Sequence, residues 1–407
     1  MARKQLTFVR LEIMRSRVFL FVLTLFAAAS LQAAETNFFP VMAWNSVPAD
    51  LAVLKKMREC GLTVAGFAAP KTLKLCRKAG LRAIVSDPRV SKYDWTHVDE
   101  AAARRNVTSL IKEIGRDPAV YGYYLRDEPG ADMFPGLATV ASLIRELAPG
   151  KWPYINLFPY YADGSQMNAA TYPEYLRRFC DVCHPTTLSY DNYSLLDDGS
   201  LRAGYWQNLE QMRTVARSNS LPFWNIVLTV AHFNYREVSA ADMRFQVYST
   251  LAYGARGIAY FTYFSTGFGN SRMAPIDQFG HATATWNYLQ NVNFQIAALA
   301  PTLLQLESDD VYHLTNVPEG CHGSTTNDLI ASIDGGDFMA GDFTHRDGGR
   351  YVMVVNKSVF KSAVCFPKFR RAPKHLRYVS PYTGNLTDYE GEECWLAPGQ
   401  GVLLKVD

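Results

Sequence analysis

Two adjacent carboxylates, Asp127 and Glu128, end an apolar and aromatic run and are followed by Pro129. The run reads Tyr121-Gly-Tyr-Tyr-Leu-Arg-Asp-Glu-Pro129 and is typical of a buried strand that ends at the two acids. Because consecutive side chains of a strand point to opposite faces, one acid is expected to face a cleft while the other orients a neighbour. An aromatic surround favours the neutral form of a carboxyl group, which suits a proton donor. A solvent-exposed loop charge, or a buried pair with Arg126, is the alternative interpretation.

The element that carries these acids is the fourth of eight short apolar strands, and all of these strands except the fifth are followed by an amphipathic helical stretch. The strands are predicted at residues 39–44, 62–67, 81–86, 120–125, 154–158, 187–190, 223–230 and 257–261. This alternation predicts an α/β fold, a (β/α)8 TIM barrel, over residues 35–308. A doubly wound open sheet competes, but it favours a glycine-rich turn after the first strand, where this chain has Asn45-Ser-Val-Pro48.

The pattern changes from about Asp309, where helical periodicity disappears. Short runs of alternating hydrophobicity follow, separated by turn signals such as Gly335-Gly336 and Gly348-Gly349. Such a pattern predicts a small antiparallel β-sandwich over residues 309–407.

The first 34 residues have the pattern of a signal peptide. Five basic residues precede an apolar run from Val18 to Ala29, and small residues then predict cleavage near Ala33 or Ala34. The apolar run is shorter than the roughly 20 residues of a membrane-spanning helix, so a retained anchor is the less favoured alternative. The sequence therefore predicts a secreted or periplasmic protein with no stable membrane span after cleavage.

The charge of the chain depends on that leader. Without its five basic residues and one acidic residue, the chain has 36 basic and 37 acidic residues, a net charge of −1. This balance argues against nucleic acid or an anionic membrane as a partner. With 48% hydrophobic and 19% charged residues, the chain has the composition of a folded protein with a large core.

Seven cysteines are present, and an oxidising compartment would allow disulfides. Cys321 is a candidate to pair with Cys365 or Cys394. Cys180-Asp-Val-Cys183 lacks a second cysteine pair at zinc-site spacing, so no metal is expected there. The chain also lacks a P-loop, a dinucleotide-binding fingerprint and a His-Glu-x-x-His motif, so no cofactor is expected.

In a barrel of this type the catalytic residues lie where the strands end, at the C-terminal face. The side chains that follow the predicted strands are therefore the candidates for a functional site. They are Trp44, Asn45, Asp87, Asp127, Glu128, Tyr160, Asp191, Tyr193, His232, Tyr235 and Tyr263.

Over residues 39–305 the chain resembles the clan A glycoside hydrolases, which carry an acid/base glutamate at the end of strand 4, usually within Asn-Glu-Pro. It is most similar in this respect to bacterial exported branches that have Asp-Glu-Pro after a Gly-Tyr-Tyr strand. Three further segments fit the resemblance: Asn156-Leu-Phe-Pro-Tyr160, Ser189-Tyr-Asp-Asn-Tyr193 and Gly254–Tyr263.

The resemblance implies that Glu128 is the general acid/base and that Asp127 contacts a sugar hydroxyl. It also implies a nucleophilic glutamate at the end of strand 7, but this strand ends Leu228-Thr-Val-Ala-His232 without a carboxylate. Asp191, at the end of strand 6, is the best candidate for the second carboxylate, and Glu237 and Asp87 are alternatives. Glycosidases place the two carboxyls roughly 5–5.5 Å apart for retention and 6.5–9.5 Å apart for inversion.

The expected substrate is an oligo- or polysaccharide, held by polar and aromatic side chains at the barrel mouth. The predicted substrate-binding set is Asp127, Trp44, Asn45, Tyr160, Tyr193, His232 and Tyr263. Core packing is the competing role for the aromatic residues, and a bond to a neighbouring strand is the competing role for His232. Because strand 7 lacks a carboxylate, a carbohydrate-binding pseudoenzyme is the competing function, and an adhesion protein is a weaker one.

Overall fold

The computed structural model describes residues 38–267 and 269–407. The predicted signal peptide and its cleavage site lie outside the described residues. Pro40 to Asp407 form one compact unit. No helix in the described ranges combines the length and the apolarity that crossing a bilayer would require.

Eight parallel strands form the first sheet, in the order β5-β4-β3-β2-β1-β8-β7-β6. Their bounds are Val41–Ala43 (β1), Val64–Ala68 (β2), Arg82–Val85 (β3), Val120–Asp127 (β4), Trp152–Asn156 (β5), Leu188–Asp191 (β6), Phe223–Leu228 (β7) and Gly257–Phe261 (β8). Strands β5 and β6 meet just past β5, where the Leu157 N–H donates to the Ser189 carbonyl at 2.8 Å. The predicted eight-stranded barrel is confirmed.

Helices alternate with these strands. Their bounds are Leu51–Glu59 (α1), Leu73–Ala79 (α2), Pro88–Ser91 (α3), Glu100–Ile114 (α4), Phe134–Leu147 (α5), Gly164–Met167 (α6), Tyr172–Cys183 (α7), Tyr205–Ser218 (α8), Ala240–Ala252 (α9) and Ala284–Leu303 (α10). Several helices begin at a residue whose side chain accepts hydrogen bonds from the N–H groups of the first turn. Asp50 caps α1 in this way, Asp99 caps α4 and Ser239 caps α9. Helix α7, which was not predicted, begins at a capping Thr171 and has a proline in its first turn.

The C-terminal region is antiparallel, as predicted. Its main sheet has six strands in the order β16-β15-β18-β12-β11-β9, and two ribbons of two strands pair β10 with β14 and β13 with β17. The bounds are Leu306–His313 (β9), Ile330–Ser332 (β10), Phe338–His345 (β11), Arg350–Asn356 (β12), Ala363–Val364 (β13), Lys368–Phe369 (β14), Leu376–Val379 (β15), Leu386–Asp388 (β16), Trp395–Leu396 (β17) and Gly401–Val406 (β18). The finer description as a sandwich, and the boundary after residue 308, stay predictions.

Helix α9 packs against the barrel on one side and against the C-terminal sheet on the other, so it lies between the two. A Cβ added at Gly341 of β11 would lie 2.1 Å from the Ala252 carbonyl oxygen at the end of α9. Only glycine permits that approach, so this position fixes how closely the sheet packs on the helix. Arg213 of α8 adds polar contacts, donating to Ser308 Oγ at 3.0 Å and to the Asp309 carbonyl at 2.8 Å.

All seven cysteines lie in the described ranges and carry free thiols. The suggested pairing of Cys321 with Cys365 or Cys394 is not found. Cys321 instead contacts the Tyr253 hydroxyl at 3.7 Å, because strand β9 and the loop after it bring it back against the end of α9. Cys180 and Cys183 are buried on α7. Burial raises the pKa of both thiols, to about 11 and about 12, which keeps them protonated.

Candidate active site

Three carboxyl groups converge where strands β4 and β6 end. The side-chain amide of Asn156, the last residue of β5, lies between two of them. Its Nδ2 donates to Asp127 Oδ1 at 3.0 Å and to Asp191 Oδ1 at 2.8 Å. The Glu128 carboxyl is in hydrogen-bonding contact with Asp191. The barrel thus brings together the two carboxylates that the sequence analysis singled out for catalysis.

The orientation of the Asn156 amide follows from a chain of hydrogen bonds beneath it. Ser189 Oγ donates to Asn156 Oδ1 at 2.9 Å, and the buried Tyr154 hydroxyl lies 3.1 Å from Ser189 Oγ. With its carbonyl oxygen occupied in this way, Asn156 must direct its NH₂ group toward the acids. Asn156 was quoted in the resemblance but was not among the predicted site residues. A polar residue that ends a fully buried strand was the signal that would have found it.

The backbone at Glu128 departs from strand geometry, with a φ of 43°. This left-handed conformation is uncommon for a residue other than glycine, and the surroundings hold it in place. The Glu128 N–H donates to the Asn156 carbonyl at 2.8 Å, and the Tyr175 hydroxyl donates to the Pro129 carbonyl at 2.8 Å. Because the turn breaks strand alternation, both Asp127 and Glu128 join the cluster around Asp191. The expectation that they face opposite sides is therefore wrong.

Burial raises the pKa of every carboxyl group in this cluster, and repulsion between the acids adds to the shift at Glu128 and Asp191. The pKa of Glu128 rises to about 7, first through burial and then through the charge of Asp127. Burial raises the pKa of Asp127 to about 6. Asp191, with 5% of its surface exposed, has a pKa well above the ordinary range because of burial and then because of its two acidic neighbours. Near neutral pH the Glu128–Asp191 pair therefore shares a proton.

Asp191→Asn is expected to stabilise the fold at neutral pH, by about 1 kcal/mol, as replacements of strained functional groups commonly do. Folding raises the pKa of Asp191, so the folded state binds its proton more tightly and stability falls as pH rises above about 4. Asparagine does not ionise, so the variant does not lose stability in this way as pH rises. Its melting temperature should exceed that of the parent protein at pH 7–8, and the difference should vanish near pH 4.

Asp87→Asn is the matched control, and its expected change in stability at neutral pH has the opposite sign. Asp87 contacts Arg89 at 2.8 Å, and the hydrogen bond from Arg89 lowers its pKa. Its stabilising contribution is present above the unfolded pKa and is lost as pH falls. This variant should therefore be less stable than the parent at pH 7, by about 1 kcal/mol, and should approach it below pH 4. If the stability of the two variants relative to the parent changed with pH in the same way, the opposite pKa shifts assigned to Asp191 and Asp87 would be contradicted.

Aromatic side chains surround the carboxyl cluster. The pKa of the Tyr193 hydroxyl is raised by burial and then by the charges of Asp191, Asp127, Tyr161 and Glu128. The Tyr193 ring packs against Phe261 at 5.0 Å and against His232 at 5.9 Å. His232 is buried, with Nδ1 2.9 Å from the Val230 carbonyl, and burial lowers its pKa, so its ring is neutral at pH 7.

Tyr161, next to the predicted Tyr160, lies close enough to Asp191 for that charge to raise its pKa. The pKa of Tyr161 is raised by burial and then by the charge of Asp191, and its ring lies 4.3 Å from the Arg202 guanidinium. The Tyr160 ring is packed against Gly204, where an added Cβ would lie 2.6 Å from it. The two residues are adjacent in the chain, and only the conformation of the loop after β5 distinguishes them.

The other predicted binding residues have structural contacts. Trp44 is half-buried, with its ring 4.9 Å from Phe67. Asn45 Oδ1 accepts from the Tyr263 N–H at 2.8 Å and fixes the loop after β8. Tyr263 is buried, and its hydroxyl accepts from Trp286 Nε1 at 3.0 Å. Tyr263 thus faces α10 and not the carboxyl cluster.

The alternative second carboxylates lie elsewhere. Glu237 is exposed and forms an ion pair with Arg272 at 2.9 Å. Asp87 is held by Arg89 and caps α3. At the end of β7 the Leu228 N–H donates to Gln246 Oε1 at 2.9 Å, and no acid occupies that position. Of the three candidates, Asp191 is the one that contacts Glu128. In the described parts of the chain, no three side chains among histidine, cysteine and the acids are arranged to hold a metal ion.

Comparison with known proteins supports the fold. No family model matches the sequence, and no curated protein sequence matches it. Among solved structures, a glycoside hydrolase family 5 protein from Bacteroides vulgatus is 13% identical with a TM-score of 0.56, and the match covers 91% of this chain and 89% of that one. A second structure, described as a glycoside hydrolase, is also 13% identical with a TM-score of 0.56, and the match covers 91% and 93% of the two chains.

A β-galactosidase from the psychrophilic Marinomonas ef1 is similar over a shorter span. It is 13% identical with a TM-score of 0.50, over 66% of this chain. This chain spans 62% of the length of that β-galactosidase. Since these identities are low, the likenesses establish a shared barrel architecture, and the function must be argued from the site itself.

Proposed function

We propose that this protein is an exported glycoside hydrolase that cleaves O-glycosidic bonds of an oligo- or polysaccharide. Glu128 acts as the general acid/base, and Asp191 is the second carboxylate. The observation that carries the proposal is the convergence of Glu128 and Asp191 on Asn156 at the C-terminal end of the barrel strands, where the Glu128 N–H donates to the Asn156 carbonyl at 2.8 Å and the Asn156 amide donates to Asp191 at 2.8 Å. A neighbouring pair of carboxyls at this face, one protonated and one ionised, is what acid-assisted glycoside cleavage needs.

The network around the pair supports different roles for the two acids. Asn156 donates a hydrogen bond to Asp191, which favours its ionised form. Glu128 is half-buried whereas Asp191 is buried, so Glu128 is the acid of the pair that can reach a substrate oxygen. Glu128 then protonates the leaving oxygen while the Asp191 carboxylate attacks the anomeric carbon or stabilises its positive charge.

The closeness of the pair supports a retaining mechanism. Inversion needs room for a water between substrate and base, with carboxyls about 6.5–9.5 Å apart. Neighbouring carboxyls such as Glu128 and Asp191 are closer to the roughly 5–5.5 Å of retaining enzymes, a spacing they reach by parting to admit the glycosidic bond. In the second half of the proposed reaction, Glu128 removes a proton from the water that hydrolyses the glycosyl ester on Asp191.

Substrate binding is assigned to the residues around the pair. Asp127 is oriented by the hydrogen bond from Asn156 and can accept a further hydrogen bond from a sugar hydroxyl. Tyr193 and Tyr161, whose pKa values are raised by burial and then by the charge of Asp191, provide ring faces and polar edges, and the half-buried Trp44 adds an aromatic face at the end of β1, which suits a ligand with alternating apolar and hydroxyl surfaces. Export is proposed from the basic and apolar pattern of the first 34 residues.

A carbohydrate-binding protein without hydrolytic activity is the competing function. The end of β7, where a carboxylate is absent, favours it. The purified protein should be incubated with neutral and acidic oligosaccharides and with α- and β-aryl glycosides. Turnover that depends on Glu128 would support the hydrolase. Binding of a sugar without turnover across the whole panel would support the alternative.

The pH dependence of kcat/KM is expected to show a decline on the alkaline side near pH 7, where Glu128 loses its proton. Because the active pair carries one proton, kcat/KM falls tenfold for each further pH unit above that limb, and it falls again at acid pH once both carboxyls are protonated. Initial rates across the pH range would measure this limb. A kcat/KM that stays level up to about pH 9 would show that no carboxylic acid with a raised pKa is needed.

A further inference from the structure

Two buried cysteines face each other in the C-terminal region. In the ribbon of β13 and β17, Ala363 pairs with Leu396 and Val364 pairs with Trp395. One residue further along this register, Cys365 lies opposite Cys394, and the Cys365 N–H donates to the Cys394 carbonyl at 2.7 Å. Directly opposed residues of antiparallel strands point to the same face, with Cα atoms about 5.5 Å apart in a hydrogen-bonded pair. That separation is within the range of disulfides.

The side chains of the two cysteines enter the same core. Cys365 and Cys394 are both fully buried and belong to the apolar core of the C-terminal region. The Tyr389 hydroxyl, which belongs to the same core, donates to the Cys365 carbonyl at 2.9 Å. Opposed backbones and a shared core place the two sulfurs on the same face of the ribbon.

We propose that Cys365 and Cys394 form a disulfide in the exported protein. The bond would join β13 to the turn before β17 and close the loop that contains β14, β15 and β16. Cys180 and Cys183 are the other closely spaced pair. They lie within one turn of α7, whose backbone geometry does not favour a disulfide between them.

The reaction is a thiol–disulfide exchange with a dithiol–disulfide oxidoreductase or glutathione disulfide. One cysteine thiolate attacks the donor's disulfide and forms a mixed disulfide. The second thiolate then displaces the donor, which leaves with two electrons and two protons as two thiols. Burial raises the pKa of Cys365 to about 12, so its thiolate is scarce once the region has folded. The exchange therefore belongs to the folding chain, and the finished bond is shielded from small reductants.

The test is to refold the reduced, denatured protein in a glutathione redox buffer, block the remaining thiols under denaturing conditions and map the peptides. We expect a protein lighter by two hydrogen atoms, a cross-link between the Cys365 and Cys394 peptides, and blocked thiols at the other five cysteines. The cross-linked protein should melt roughly 5 °C above the reduced form. Seven blocked thiols, or a cross-link at another pair, would overturn the proposal.

Variants make the assignment specific. Cys365→Ser should leave Cys394 blocked as a free thiol, and Cys394→Ser should do the same for Cys365. The double variant Cys180→Ser/Cys183→Ser is the matched control and should retain the cross-link and the difference in melting temperature. If the control loses the cross-link while Cys365→Ser retains one, the bond has been assigned to the wrong pair. None of these readouts depends on hydrolytic activity.

Discussion

Glu128→Gln is expected to lower kcat/KM for an unactivated oligosaccharide by about 10³–10⁴-fold, the contribution of a well-placed general acid. Glutamine keeps the shape of the side chain but cannot donate a proton to the leaving oxygen. The loss should shrink for an aryl glycoside whose leaving group departs without protonation. Initial rates on a series of aryl glycosides, ordered by the pKa of the leaving phenol, would measure this dependence. The alkaline limb of the pH profile should also disappear in this variant.

The matched control is Glu237→Gln. Glu237 is the other glutamate that the sequence analysis considered, but it is exposed and paired with Arg272. An exposed ion pair contributes little to stability, so this variant should fold and retain activity within about twofold of the parent. Equal losses in the two variants, or full activity of Glu128→Gln on an unactivated substrate, would end the assignment of Glu128 as the acid.

Asp191→Asn is expected to reduce kcat by about 10⁴-fold or more on every substrate, including those with good leaving groups. A nucleophile is needed whatever the leaving group, so the leaving-group dependence that marks Glu128 should be absent. In Asp191→Gly, which removes the side chain, added azide should restore turnover, because a small anion fits where the carboxylate was. Since Asp191→Asn is expected to be more stable at neutral pH, its inactivity can be separated from unfolding by the melting temperature.

A covalent adduct would identify Asp191 directly. A fluorinated glycoside with a good leaving group slows hydrolysis of the glycosyl–enzyme ester, so the adduct should accumulate and be found on the peptide that contains Asp191. Asp87→Asn serves as the control, because Asp87 is bound to Arg89 and should not alter labelling. A label on Glu237, or an inverted product without any adduct, would contradict the retaining mechanism with Asp191 as nucleophile.

Much of the fold was predictable because it depends on local patterns. Apolar strands alternating with amphipathic helices indicated the barrel, and the loss of helical periodicity near Asp309 indicated the antiparallel region. Helix α7 was missed because its apolar residues include several tyrosines and cysteines, which hide a helical stripe among aromatic loop residues. Its N-cap Thr171, followed by a proline in the first turn, was the available signal.

The sequence by itself determined which chemical groups the barrel mouth would carry. Asp127, Glu128 and Asp191 follow their strands directly, and strand ends in a barrel share one face, so their general location followed from chain position alone. The same reasoning could rank Asp191 above Glu237, because a residue at a strand end is held by the sheet whereas one farther along a loop is not.

Only the tertiary structure decided how those groups meet. The left-handed turn at Glu128, the amide of Asn156 between two acids, the choice of Tyr161 over Tyr160 and the pairing of Cys365 with Cys394 all depend on contacts between distant parts of the chain. A local pattern fixes the direction of a side chain from its strand. The distance between two side chains is instead set by barrel closure, side-chain rotamers and packing, which no local window of the sequence contains.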